Sequence, residues 1–376
     1  MIIGVPRETE RLEHRVGLTP FGIARLVRHK HSVVVERDAG AAAHFTDRDY
    51  AGAGAEVVYS AEEVFKRADL VCQVGMLGPA ELALLKPGLV ICGFHHLAVA
   101  PRAVLDGLKT ADVTLIGYEI IENENGDRPI LLSTSDLAGQ LAIHEAAHLL
   151  QISSGGRGIL LGNIPGVPAA TVLILGAGSV GTVAAQHAAD IGAHVIVMDT
   201  DVRKLQRIYR TVCGRVDTAL VDQAQLARFL KVADVVIGAV LIPGGRAPFL
   251  VTEEMVKTMR PGSVIVDVSI DQGGCIETSR PTTLDHPTFV VHDVVHYCVP
   301  NMNANIARTA SRVLSDAALP YVMEIAEQGL EAALKADAGL AAGVYTYHGK
   351  LVHQAVSRHL DAPHEALAAL LEGRAG

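Results

Sequence analysis

The densest chemical signal in the chain is Gly176-Ala-Gly178-Ser-Val-Gly181, which follows the apolar run Thr171–Leu175 without a break. A helix-like run at 182–191 comes next. A second strand-like run at 193–199 then ends in Asp199. Each glycine has a physical task. Gly176 permits a tight turn, Gly178 lets the backbone approach a pyrophosphate, and Gly181 lets the helix pack close on the sheet. The helix start, with Ser179 and Val180, presents unpaired N–H groups and a positive dipole end to phosphates. Asp199 is placed to bond both hydroxyls of a ribose, and its charge opposes a 2′-phosphate. This pattern favours NAD, while Arg203 and Lys204 nearby leave NADP open. A lone glycine motif is weak, but strand, motif, helix, second strand and terminal acid together are specific.

A second constellation is His144-Glu145-Ala-Ala-His148 on an expected helix. This spacing puts two imidazoles on one face with a glutamate between them, as in a zinc protease. No third ligand extension follows, and the stretch sits within the α/β framework. An ordinary helix and no metal are expected.

The elements that must position these residues alternate in type. Strands are expected at 2–5, 32–36, 70–74, 89–94 and 114–118, with helices at 20–27, 61–67, 80–85 and 101–108. The polar turn at 123–127 closes this first lobe. Ser135 and Asp136 offer N-cap chemistry for a long helix at 137–151. A second alternation follows, with strands at 171–175, 193–199, 217–220, 235–238, 264–267 and 288–291. Residues 302–376 read as mostly helical. The fold class is α/β, with parallel sheets wrapped by helices.

Composition sets the bounds. A chain of 376 residues is long for one hydrophobic core, so two domains are expected. The net charge of −9, with no basic cluster, argues against nucleic acid. Five dispersed cysteines give neither a disulfide framework nor a structural zinc site. The N-terminal stretch lacks the apolar core of a signal peptide, and no long apolar run suggests a membrane span. A cytoplasmic location is expected.

Several motifs go beyond the glycine-rich unit. They are Gly4-Val-Pro-Arg-Glu8, Arg15-Val-Gly-Leu-Thr-Pro20, Gly156-Arg-Gly-Ile-Leu-Leu-Gly162, Ile237-Gly-Ala-Val-Leu-Ile-Pro-Gly244, Val266-Asp-Val-Ser-Ile-Asp271-Gln-Gly-Gly-Cys275 and Arg280-Pro-Thr-Thr283. With these the sequence resembles the alanine dehydrogenase family, which shares its fold with the NAD-binding subunit of proton-translocating transhydrogenase. The resemblance runs from the first residue to about residue 360. It implies two Rossmann-like doubly wound domains. A discontinuous substrate domain, 1–130 plus 305–376, would carry an inserted NAD-binding domain, 131–304. The active site would lie in the cleft between them, in a homo-oligomer, hexamer or dimer.

The resemblance also implies roles. Arg15 matches the arginine that clamps the substrate carboxylate, and His96 the acid/base histidine at a strand end. Asp271 matches an aspartate near the nicotinamide that orients water or stabilises ammonium. Ser135, Val240, Leu241, Asn301 and Met302 fall where the cofactor is contacted, although the family's Asn-Met-Pro-Gly reads Asn301-Met302-Asn303-Ala304 here. The main departure is Gly75, which stands where the family's Lys-Val-Lys-Glu-Pro pattern has its substrate-contacting lysine. His95, beside the acid/base histidine, is a further candidate substrate contact in its place. The implied activity is reversible NAD-dependent oxidative deamination of a small L-amino acid to a 2-oxo acid, with an altered substrate preference. An imine-reducing, opine-forming or cyclodeaminating relative, and a non-catalytic NAD-binding protein, remain alternatives.

Overall fold

The computed structural model describes residues 1–98, 100–214, 216–241 and 247–373. The chain divides into two compact units. One holds residues 1–134 and those from 304 onward; the other holds residues 135–303.

The first unit is built on β1 (Ile2–Val5), β2 (Ser32–Glu36), β3 (Glu56–Val58), β4 (Leu70–Cys72), β5 (Val90–Gly93) and β6 (Thr114–Gly117). The second unit contains β7 (Thr171–Leu175), β8 (His194–Asp199), β9 (Val216–Leu220), β10 (Val235–Gly238), β11 (Val264–Asp267), β12 (Thr288–Val291) and β13 (Val294–Tyr297). Two late strands, β14 (Val344–Tyr347) and β15 (Lys350–Leu351), return to the first sheet.

Among the described residues the first sheet has the order β15-β14-β6-β5-β4-β1-β2-β3, and the second β12-β13-β11-β10-β7-β8-β9. From β3 to β6, and from β9 to β13, all neighbours are parallel. Among the described residues, antiparallel strand pairs lie at one edge of each sheet, where β14, β15 and β12 are. The central strands are apolar on both faces because helices cover both, and Leu173, Ile174, Val236 and Ile265 are fully buried. In each sheet the strand order reverses direction beside the first strand of its unit, between β1 and β4 and between β7 and β10. Such a switch point opens a crevice at the strands' carboxyl ends, the usual ligand position in an open α/β sheet.

Several expectations need correction. The long helix begins at Pro129 and runs to Leu149, so Ser135 and Asp136 lie within it instead of capping it. Proline suits the first turn of a helix, where its missing N–H costs nothing. The region from 302 onward is mostly helical, as expected, but β14 and β15, which were not anticipated, form a hairpin against β6. β3 and β13 were not anticipated. The expected strand at 70–74 stops at Cys72, which releases Gln73 and Val74 into a loop. The end of the Ile237–Gly244 motif, residues 242–244, lies outside the described residues.

The loop carrying Arg15 is fixed from far along the chain. Ser311 Oγ, on the helix Ala307–Gln328, accepts the Val16 N–H at 3.0 Å. Ser315 Oγ accepts the Thr19 N–H at 3.2 Å. Gly17 presses on β4, and a Cβ there would lie 2.4 Å from the Cys72 carbonyl oxygen. Ser311→Ala leaves the buried Val16 N–H without a partner. It is expected to lower stability by about 1–3 kcal/mol in urea unfolding; an unchanged midpoint would mean that the loop does not depend on this bond.

Candidate active site

In the second unit the glycine motif has the geometry its spacing implied. Gly176 has φ +105°, and a Cβ there would meet the Ala239 carbonyl oxygen at 2.4 Å. A Cβ at Gly181 would strike the Gly176 carbonyl oxygen at 1.9 Å, so only glycine lets the helix Ser179–Asp190 sit this close to β7. Gly178 differs, because a Cβ there would meet nothing within 4 Å. The protein's own packing therefore does not demand glycine at 178. The open space lies at the N-terminus of a twelve-residue helix, where a pyrophosphate fits.

Asp199 is buried at the end of β8. It accepts the Ala177 N–H at 2.7 Å and the Asp201 N–H at 2.8 Å. Each oxygen keeps further acceptor capacity, with Lys204 Nζ 4.0 Å from Oδ2. Arg203 is turned onto Asp201 through Nε and Nη2 at 3.1 and 3.0 Å. A guanidinium held there is poorly placed for a 2′-phosphate.

After β10, the Val240 N–H donates to Ser269 Oγ at 2.8 Å, and the Leu241 side chain is exposed. Asp271 lies in the 3₁₀ turn Val268–Gln272, and its Oδ1 accepts the Asn301 N–H at 2.9 Å. That bond ties the loop of Asn301 and Met302 to the end of β11. Ser135 lies in the same unit, on the helix Pro129–Leu149.

In the first unit, Arg15, Gly75, His95 and His96 collect at the carboxyl ends of β1, β4 and β5. Arg15 is buried and pairs with Glu13 through Nε and Nη2 at 2.7 and 2.6 Å. The Nη1 side of the fork is left for another carboxylate. His96 has φ +42°, a left-handed conformation uncommon for a residue with a side chain. Its N–H donates to Glu119 Oε1 at 2.5 Å, and its ring stays half-exposed. Tyr345 O–H donates to the same Glu119 oxygen at 2.8 Å.

β5 ends at Gly93, and His95 is fully buried with both ring nitrogens unpartnered. Burial, with a smaller contribution from His96, pushes its pKa down to about 3, so the ring is neutral. Gln73 Oε1 and Glu119 Oε2 are also buried without partners. Unpaired buried polar atoms are costly and rare, and these follow three neighbouring strands, β4, β5 and β6, at their carboxyl ends.

Glu8, Gln73 and Glu119 were not singled out in the sequence. Gln73 and Glu119 stand one and two residues past β4 and β6, a position that could have flagged them. Glu8 Oε1 accepts the Val74 N–H at 2.6 Å, and Oε2 accepts the Gly75 N–H at 3.1 Å. Burial pushes this carboxyl up from 4.5 to about 7; Glu13 adds to the rise, and the Val74 N–H and Arg15 oppose it.

His144 packs against His187 with ring centroids 4.8 Å apart, and His148 meets Ser154. Among the described residues no group of three His, Cys, Asp or Glu side chains that could hold a metal ion forms.

Two doubly wound sheets, one with a dinucleotide fingerprint and one with a polar cluster at its switch point, define a Rossmann-type nucleotide-binding protein of two units. The particular family follows from comparison. Residues 4–138 match the alanine dehydrogenase/PNT N-terminal domain and residues 142–354 the C-terminal domain. Alanine dehydrogenase of Mycobacterium tuberculosis is 43% identical over 99% of this chain and 100% of its own. That of Mycolicibacterium smegmatis is 42% identical over 96% and 98%. A solved L-alanine dehydrogenase superposes with a TM-score of 0.91 at 42% identity, covering 96% of this chain and 99% of the other. The chain belongs to the alanine dehydrogenase/PNT family. Among the described residues no helix is long and apolar enough to cross a membrane.

A carboxyl whose folded pKa lies above its unfolded value resists ionisation. For Glu8 the penalty is absent below about pH 4.5 and complete above about pH 7. The melting temperature of the protein, relative to Glu8→Gln, should therefore fall by about 2–5 °C between pH 5 and pH 8. A constant difference across that window would show that the carboxyl titrates normally.

Proposed function

We propose that the protein is an NAD-dependent dehydrogenase of the alanine dehydrogenase type, converting a small L-amino acid reversibly to a 2-oxo acid and ammonium. The observation that carries this reading is the set of unpartnered polar groups around His95 and Glu119, beside Arg15 and His96, in a chain that also holds the glycine fingerprint. NAD supplies the hydride acceptor when bound. Gly176, Gly178, Ser179, Val180, Gly181 and Asp199 hold it, with Val240, Leu241, Asn301 and Met302 as further contacts.

Arg15 takes the substrate carboxylate on the free side of its fork, and Glu13 fixes the plane of that fork. His96 moves the proton. Its ring is open to solvent, and Glu119 fixes its backbone. Asp271 orients the water or amine. The neutral His95 donates or accepts one hydrogen bond at the reacting centre.

Gly75 supports an altered substrate preference, because the lysine expected there would polarise the reacting carbon. An imine-reducing reaction would use the same groups with an amine other than ammonia. The same reading carries a cytoplasmic homo-oligomer, dimer or hexamer.

NADH formation from a panel of amino acids, with the reverse reaction from oxo acids and ammonium, tests the proposal. Turnover on an amino acid supports it; silence across the panel with NADH still bound moves the reading to imine substrates or a non-catalytic role. Gly75→Lys should raise kcat/KM for alanine by about ten- to a hundredfold. No change would mean that the pocket has diverged elsewhere too.

Gly178→Ala separates the cofactor role from packing. The substitution has space in the protein, so the melting temperature should hold while the Kd for NADH rises at least about tenfold. Unchanged affinity by fluorescence titration would remove the pyrophosphate from this position.

A further inference from the structure

The proposed mechanism leaves Glu8, an acid at the switch point of the first unit, without a task. Glu8 follows β1 and spans the switch point to the loop after β4, where its two oxygens take the Val74 and Gly75 N–H groups. Each oxygen keeps further bonding capacity. Among the described residues no cation pairs with Glu8. Arg15, whose charge acts on Glu8, is committed to Glu13 through two bonds. An acid set partly out of water without a cation is costly, and the cost falls when a positive group arrives.

The space in front of Glu8 is defined by its neighbour. A Cβ at Gly75 would meet one atom within 4 Å, Glu8 Oε2 at 3.3 Å. The absence of a side chain at 75 therefore leaves room beside Glu8 Oε2, whose only bond among the described residues is to the Gly75 N–H. Glu8 is also only partly buried, so part of it stays open to a ligand. With an arginine fork at one end and an acid at the other, the cluster has the charge pattern of a zwitterion carrying a second amino group.

We propose that Glu8, opposite Gly75, is the specificity-determining residue of this site and selects α-amino acids whose side chain ends in an ammonium group. The proposal rests on the dehydrogenase reading and names its substrate class. Arg15 holds the carboxylate, the α-amine goes to the His96 side, and the side-chain ammonium donates to Glu8. The bound ammonium supplies the positive charge that the protein does not place there. An alkyl side chain of equal length would cover Glu8 without pairing it, so the site discriminates by penalty as well as by attraction.

The test compares pairs of substrates of equal length, diaminobutyrate against norvaline and ornithine against norleucine. The NAD-linked kcat/KM is measured with the purified full chain. The wild type is expected to favour the diamino member by about tenfold or more in at least one pair. Glu8→Gln should bring that ratio to within about twofold of unity, and Gly75→Lys, which places an ammonium beside Glu8 in cis, should reverse it.

A smaller wild-type preference in both pairs overturns the proposal, and this arm stands even where a variant fails to fold. A preference that survives both substitutions overturns the assignment to Glu8. Turnover of norvaline or norleucine without preference removes the inference and leaves the dehydrogenase reading intact. Silence on all four substrates and on the wider panel, with NADH still bound by fluorescence, removes both.

Discussion

Where a parallel strand ends, the chain must leave the sheet, and its next N–H groups lose their ladder partners. In this protein carboxylates take them up. Glu8 holds the amides of Val74 and Gly75, Glu119 that of His96, Asp199 those of Ala177 and Asp201, and Asp271 that of Asn301. A charged acceptor makes a stronger hydrogen bond than a neutral one, and it fixes a loop that has no regular structure of its own. The loops held in this way carry most of the candidate functional side chains. The acids therefore set the site's shape and its electrostatics at once.

In the first unit such acids crowd together. Glu8, Glu13 and Glu119 lie around a crevice that also contains Arg15 and two histidines. Burial keeps His95 neutral and raises the affinity of Glu8 for a proton. The ordinary order of the two groups is thereby reversed, and the carboxyl keeps its proton to a higher pH than the imidazole does. The second unit is quieter. Asp199 and Asp271 hold backbone amides there, and its distinguishing feature is the empty space over Gly178.

Much of the architecture could be read from the sequence, because buried parallel strands appear as short apolar runs and the glycine fingerprint has a fixed spacing. The missed elements have physical reasons. β12 and β13 are joined by His292 and Asp293, both with positive φ, and β14 and β15 by His348 and Gly349. Two successive left-handed residues make the tight hairpin turn that asparagine and glycine usually announce, and histidine in such a turn gives little warning. The candidate site was legible only in part. Arg15 and His96 sit in recognisable motifs. The grouping of Glu8, Gln73, His95 and Glu119 depends on which strands are neighbours, and sequence order does not give that.

The serine contacts that seat the Arg15 loop carry a consequence for the order of assembly. Val16 and Thr19 are held by Ser311 and Ser315, and β6 gains its antiparallel neighbour β14 from still later in the chain. During synthesis the N-terminal strands leave the ribosome long before these partners exist. The second unit is continuous in sequence, so it completes its own sheet first. The crevice around Arg15 is finished only when nearly the whole polypeptide has emerged. A truncated nascent chain therefore holds a formed nucleotide fold alongside an unfinished first unit.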